Sequence, residues 1–112
     1  MSMRILSIVK IMPPLEKRKE ILDIFLSIKG PVQTMHGCLA FTICEEEGEE
    51  TIVFLIEQWQ TWEDFISHIR SDLYARVLAA MELSRKKPEV SFFEVSSMKG
   101  MELIEAVRNP KL

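Results

Sequence analysis

A chain of 112 residues has room for one hydrophobic core, and at that length folding removes roughly two-thirds of the unfolded surface from water without metals or disulfides. The composition is 47% hydrophobic and 28% charged with only four Gly and five Pro, which excludes a disordered chain. Fourteen basic against seventeen acidic residues give a net charge of −3 and argue against nucleic acid as a partner. The one basic cluster, Arg85-Lys86-Lys87, sits where a helix should end and complements its dipole.

Cys38 and Cys44 lie on one expected strand, about 20 Å apart at Cα, so they cannot bridge. Two free thiols point to a reducing, cytoplasmic setting. Neither has a CxxC partner, and no His/Cys/carboxylate set has metal-ligand spacing, so no metal is expected. No apolar run approaches the ~20 residues of a membrane span, so no membrane partner is expected. Lys10 interrupts the apolar N-terminus and no small-residue cleavage site follows, so that stretch reads as a strand.

In chain order, Met3–Ile11 is short, rich in Ile, Leu and Val, and predicts a buried strand that Pro13-Pro14 ends. Ile21, Ile24, Phe25 and Ile28 recur at helical spacing, predicting a helix over Leu15–Lys29 that Gly30-Pro31 stops. Met35–Glu45 follows as a strand presenting Gly37, Leu39, Phe41 and Ile43 on one face. The acidic run Glu45–Glu50 reads as a solvated hairpin turn, with Thr51–Trp59 as the partner strand. Thr61, with Asp64 three residues on, resembles a capping box opening a helix. Trp62, Phe65, Ile66 and Ile69 form its apolar stripe, with His68 at the stripe's edge. Ser71-Asp72 restarts a second helical piece to about Arg85, burying Leu73, Tyr74, Val77 and Met81, and Pro88 stops it. Glu89–Met98 is the last strand, with Val90 and Phe92 on one face and Phe93 and Val95 on the other. Met101, Ile104 and Val107 predict a short helix in the tail over residues 100–112.

The order is β-α-β-β-α-β: an α+β, ferredoxin-like domain spanning residues 1–112, an antiparallel sheet with its helices on one face. The strand Thr51–Trp59 is apolar on both faces, with Val53, Leu55 and Trp59 on one and Ile52, Phe54 and Ile56 on the other. Helices cover only one face, so the second calls for another copy of the sheet, and a homodimer is expected.

Few polar residues suit a site between sheet and helices: His36, Glu57, Gln58, His68, Tyr74 and Glu94 carry the useful protons. There is no phosphate-binding glycine loop and no nucleophile elbow. Glu57 and Glu94 fit either a carboxylate pair or strand-end surface positions. An imidazole such as His68 suits proton transfer near neutral pH.

The stretch Glu57-Gln58-Trp59-Gln60-Thr61-Trp62-Glu63-Asp64-Phe65-Ile66-Ser67-His68-Ile69-Arg70-Ser71-Asp72-Leu73-Tyr74 resembles the central signature of the antibiotic biosynthesis monooxygenase (ABM) family. That signature is a strand ending in E-x-W, a capped helix, a histidine nine residues after the tryptophan, and a Ser-started helix. Gly37-Cys38 before a strand, and Val95-Ser96-Ser97 leading to Gly100, match it too. The resemblance implies a dimeric α/β barrel with a pocket between sheet and helices. It also implies cofactor-independent oxygenation of a small aromatic quinol- or anthrone-like substrate. His68 would be the catalytic base, and Trp59, Tyr74, Glu57 and Phe65 would bind the substrate. A non-catalytic dimeric module for a small apolar or aromatic ligand, and a proton-transfer isomerase, are the alternatives. The heme-degrading branch carries an iron-binding histidine where this chain has Leu78 and a tryptophan where it has His68, and both departures count against heme.

Overall fold

A computed structural model describes residues 3–109. Its elements are β1 (Arg4–Ile11), α1 (Arg18–Gln33), β2 (Cys38–Glu46), β3 (Ile52–Trp59), α2 (Trp62–Arg70), α3 (Asp72–Met81), β4 (Glu89–Val95) and α4 (Met101–Arg108). The strands form one antiparallel sheet in the order β2-β3-β1-β4, the ferredoxin-like arrangement.

Alternation in the two central strands sets the layers. β1 buries Ile5, Ser7, Val9 and Ile11, and β3 buries Val53, Leu55, Glu57 and Trp59. The register pairs Ile5 with Trp59, Ser7 with Glu57 and Val9 with Leu55, so these side chains share one face. α1 covers that face with Ile21, Phe25, Ile28 and Val32, spaced four, three and four apart, and α3 packs beside it with Val77 and Ala80. Burying a side chain such as Phe25 contributes about 1.5–3 kcal/mol.

Several boundaries differ from expectation; β4 stops at Val95, short of Met98, and α1 starts at Arg18 after a 3-10 turn over Leu15–Lys17. α1 runs through Gly30-Pro31 to Gln33. Pro31 sits in the last turn, where its missing N–H forfeits a single bond, and Val32 continues the buried stripe from Ile28. β2 begins at Cys38 because Gly37, at φ +84°, turns the chain into the strand. A bulge between Cys38 and Ala40 then breaks the expected alternation, leaving Leu39 45% exposed while Phe41 is 2% exposed. α3 ends at Met81, short of Arg85, and the chain after it is tied to the end of β1. There the Met12 amide donates to Ser84 Oγ at 3.0 Å and the Arg85 amide donates to the Met12 carbonyl at 2.8 Å.

The other face of the sheet carries Leu6, Ile8, Phe54 and Ile56, all half-buried, and Phe93, which is exposed. α4 makes no extensive contact with any other element, and its Met101, Leu103, Ile104 and Val107 are exposed. The radius of gyration is accordingly 16.5 Å, against about 13 Å for a compact chain of this length.

Candidate functional site

The site is built where β3 runs into α2. Thr61, in extended conformation, accepts a hydrogen bond from the Asp64 amide at 3.1 Å and caps α2 as the sequence predicts. From that start, Phe65 and His68 point inward three residues apart. Ser71 closes the helix: its amide and its hydroxyl both donate to the His68 carbonyl, at 3.0 and 2.6 Å. The extended Ser71 redirects the chain into α3, which brings Tyr74 back onto His68.

His68 therefore does not lie at the edge of an apolar stripe. It is fully buried, whereas Trp62, Ile66 and Ile69 are each more than one-third exposed. Its imidazole stacks on Trp59 with centroids 4.6 Å apart and planes 22° apart. Tyr74 meets the same ring edge-on at 5.1 Å and 89°. Glu57 Oε1 accepts from Trp59 Nε1 at 3.1 Å and lies 2.9 Å from His68 Nε2, with both side chains at zero exposure. The second contact has ion-pair distance without the alignment of a hydrogen bond, and it becomes an ion pair when the imidazole is protonated.

Burial first, and the charge of Glu57 second, push the Tyr74 phenol up to about 12. Tyr74 is therefore a proton donor at neutral pH, not a base. The same two causes, in the same order, raise the Cys38 thiol, which argues against a thiolate nucleophile there.

Four buried polar atoms have no partner among the described residues: Ser7 Oγ, Glu57 Oε2, His68 Nδ1 and His68 Nε2. Each such atom costs about 1–3 kcal/mol in a closed interior. Ser7 and Glu57 are cross-strand partners and Glu57 lies against His68, so these atoms belong to one buried polar group.

Of the residues singled out in the sequence, Glu57, Trp59, Phe65, His68 and Tyr74 come together, and His36, Gln58 and Glu94 do not join them. His36 is solvent-exposed, 3.8 Å from Asp64. Gln58 lies exposed on the opposite face of the sheet. Glu94 lies on the edge strand and accepts from Trp62 Nε1 at 2.5 Å. It forms no carboxylate pair with Glu57. Ser7 went unremarked in the sequence; its signal was a lone hydroxyl in the buried phase of β1. No group of three His, Cys, Asp or Glu side chains could hold a metal among the described residues. A concavity of about 420 Å³ is lined by Arg4, Ile5, Leu6, Gln58, Val95 and Met98, and none of Glu57, Trp59, Phe65, His68 and Tyr74 lines it.

A sequence model of the antibiotic biosynthesis monooxygenase family matches residues 4–80, from β1 through α3. The chain belongs to that family. No curated protein matches the ABM chain in sequence. Among solved structures it is similar to a conserved protein from Methanosarcina mazei Go1 (TM-score 0.77, 21% identity, 84% of this chain and 94% of that one). It is also similar to a conserved protein of unknown function, a possible oxidoreductase, from Bacteroides thetaiotaomicron (TM-score 0.75, 19% identity, 84% and 99%). A third likeness is to a candidate antibiotic biosynthesis monooxygenase from Deinococcus radiodurans (TM-score 0.76, 13% identity, 87% and 97%). At these identities the likenesses establish the ABM fold. No helix of the described residues is long and apolar enough to cross a membrane.

Proposed function

We propose that this chain is a cofactor-independent monooxygenase for a small aromatic substrate of the quinol or anthrone type, working as a homodimer in the cytoplasm. The observation that carries the reading is the Glu57–His68 pair, fully buried and stacked against Trp59. A carboxylate beside Nε2 favours the tautomer protonated there and leaves Nδ1 free to take a proton; this tautomer is assigned from the contact. Trp59, Phe65 and Tyr74 would wall an aromatic ring.

An electron-rich substrate supplies the reducing power. His68 removes a proton from the phenol or enol, and the anion gives one electron to O2. The radical pair then joins to form a C–O bond, giving a hydroperoxide. Loss of water from the hydroperoxide leaves a carbonyl. For anthrone the sum is anthrone plus O2 to anthraquinone plus water. The four electrons that O2 accepts all come from the substrate, so no external reductant is consumed. The protein supplies the base, the oriented ring and a dry site.

At the edge strand, Phe92, 42% exposed, meets Phe65 edge-on at 5.1 Å, and Trp62 bonds Glu94. A flat apolar substrate would pass there. The homodimer reading rests on the outer sheet face and the unpacked α4, which a second copy would cover. Turnover of anthrone under ¹⁸O₂ tests the reaction: one labelled oxygen in the product supports it, and an unlabelled product or stoichiometric peroxide contradicts it. The same carboxylate–imidazole pair suits an isomerase moving a proton beside a carbonyl. Deuterium wash-in from solvent without oxygen consumption would identify that activity.

A further inference from the structure

We infer that Ser7 is a specificity residue of this interior site, donating its hydroxyl proton to the substrate oxygen that the Glu57–His68 pair deprotonates. The inference rests on the proposed role of that pair but is carried by different atoms. β1 turns Ile5, Ser7, Val9 and Ile11 toward the helices, all at zero exposure. Three are aliphatic, so the serine alone brings a hydroxyl into an otherwise apolar row. The register sets it between Glu57 on β3 and Phe92 on β4. Cross-strand neighbours on one face stand about 5 Å apart at Cβ, so Ser7 lies between the buried carboxylate and the aromatic edge where a substrate would pass.

Ser7 Oγ and Glu57 Oε2 are both without a partner. Their chemistries are complementary toward one kind of group. An ionised carboxylate only accepts, while a serine hydroxyl can donate. A neutral aryl hydroxyl satisfies both, donating a hydrogen bond to Glu57 Oε2 and accepting from Ser7, before its proton passes to His68 Nδ1. After deprotonation, the Ser7 hydroxyl faces the oxyanion, where a fixed donor is worth most. A methyl ether offers no proton and leaves the carboxylate oxygen unmet, so the site should reject it. A substrate carboxylate would meet Glu57 with like charge.

The test compares 1-naphthol with 1-methoxynaphthalene, with binding followed by quenching of tryptophan fluorescence, in native protein, Ser7→Ala and Ser7→Thr. Native protein and Ser7→Thr should prefer the naphthol by about tenfold, the worth of one buried hydrogen bond, and Ser7→Ala should lose the preference. Because the hydroxyl has no partner within the protein, Ser7→Ala should leave Tm unchanged or raise it by about 2 °C, which a structural serine would not do. A preference that survives in Ser7→Ala, a Tm lowered by several degrees, or native protein that does not discriminate would overturn the inference. Oxygen uptake that depends on His68 but not on Ser7 sinks the role of Ser7 alone. Ser7-dependent discrimination without oxygen uptake sinks the monooxygenase reading alone.

Discussion

Trp59 and His68 stack with ring centroids 4.6 Å apart, and a single oxygen of Glu57 touches the nitrogens of both rings. A strand end and a helix are thus joined through one carboxylate. Trp59→Phe keeps a stacking ring but loses the bond to that carboxylate, an expected loss of about 2 kcal/mol. Trp59→Ala also opens a cavity and should cost about 3–5 kcal/mol. Urea unfolding followed by far-UV circular dichroism measures both, and equal losses would mean that the ring packing contributes nothing.

Tyr74 is the only tyrosine in the chain, so its ionisation can be read without ambiguity from phenolate absorbance. The midpoint should lie near 12 in the native protein and fall toward the ordinary 10.0 in denaturant. The raised value means that between these two pH values the unfolded chain has lost a proton that the native chain keeps. Stability should therefore be full below that window and fall as pH rises through it. Glu57→Gln should lower the native midpoint only in part, since burial is the larger cause.

Gly37 has φ +84°, and a Cβ there would overlap the side chain of Asp64. Gly37→Ala should cost about 2 kcal/mol or more, from backbone strain plus the clash. In an Asp64→Gly background, which removes the Oδ2, Cγ and Cβ atoms that the new methyl would meet, the cost should shrink toward the backbone part. A double-mutant cycle by chemical denaturation checks this, and strict additivity would contradict it.

Phe93 is 47% exposed on the outer face of the edge strand, so Phe93→Glu should leave the fold intact while placing a charge in the proposed subunit contact. Sedimentation equilibrium should give twice 13.0 kDa for the native protein and near 13.0 kDa for the variant. A monomeric native protein would remove the homodimer from the account.

The element sequence was legible because apolar strand runs and helical spacing both survive in the chain, from Met3–Ile11 through Phe25–Ile28 to Val77, and the ferredoxin-like plan follows from that sequence of elements. The Gly30-Pro31 stop was overridden because Val32 continues the buried stripe, a tertiary gain that local propensity does not contain. His68 was misplaced for a related reason. Counting apolar residues around α2 weights Trp62, Ile66 and Ile69, yet the inward direction is set by Phe65 and by the carboxylate waiting on β3. Glu57 and Ser7 lay in phase with buried aliphatic neighbours, but their polarity reads as surface until the register sets them opposite one another. Polar residues buried as a group are invisible to a rule that scores them singly.

Oxygen uptake by metal-free protein given anthrone, measured side by side for native protein, His68→Ala and Glu57→Gln, decides whether the buried pair does the chemistry. The native protein should consume oxygen, and each variant, with its fold verified by circular dichroism, should be slower by about tenfold or more, as expected for loss of a general base or its partner. Uptake undiminished in His68→Ala would show that the buried pair is not the base.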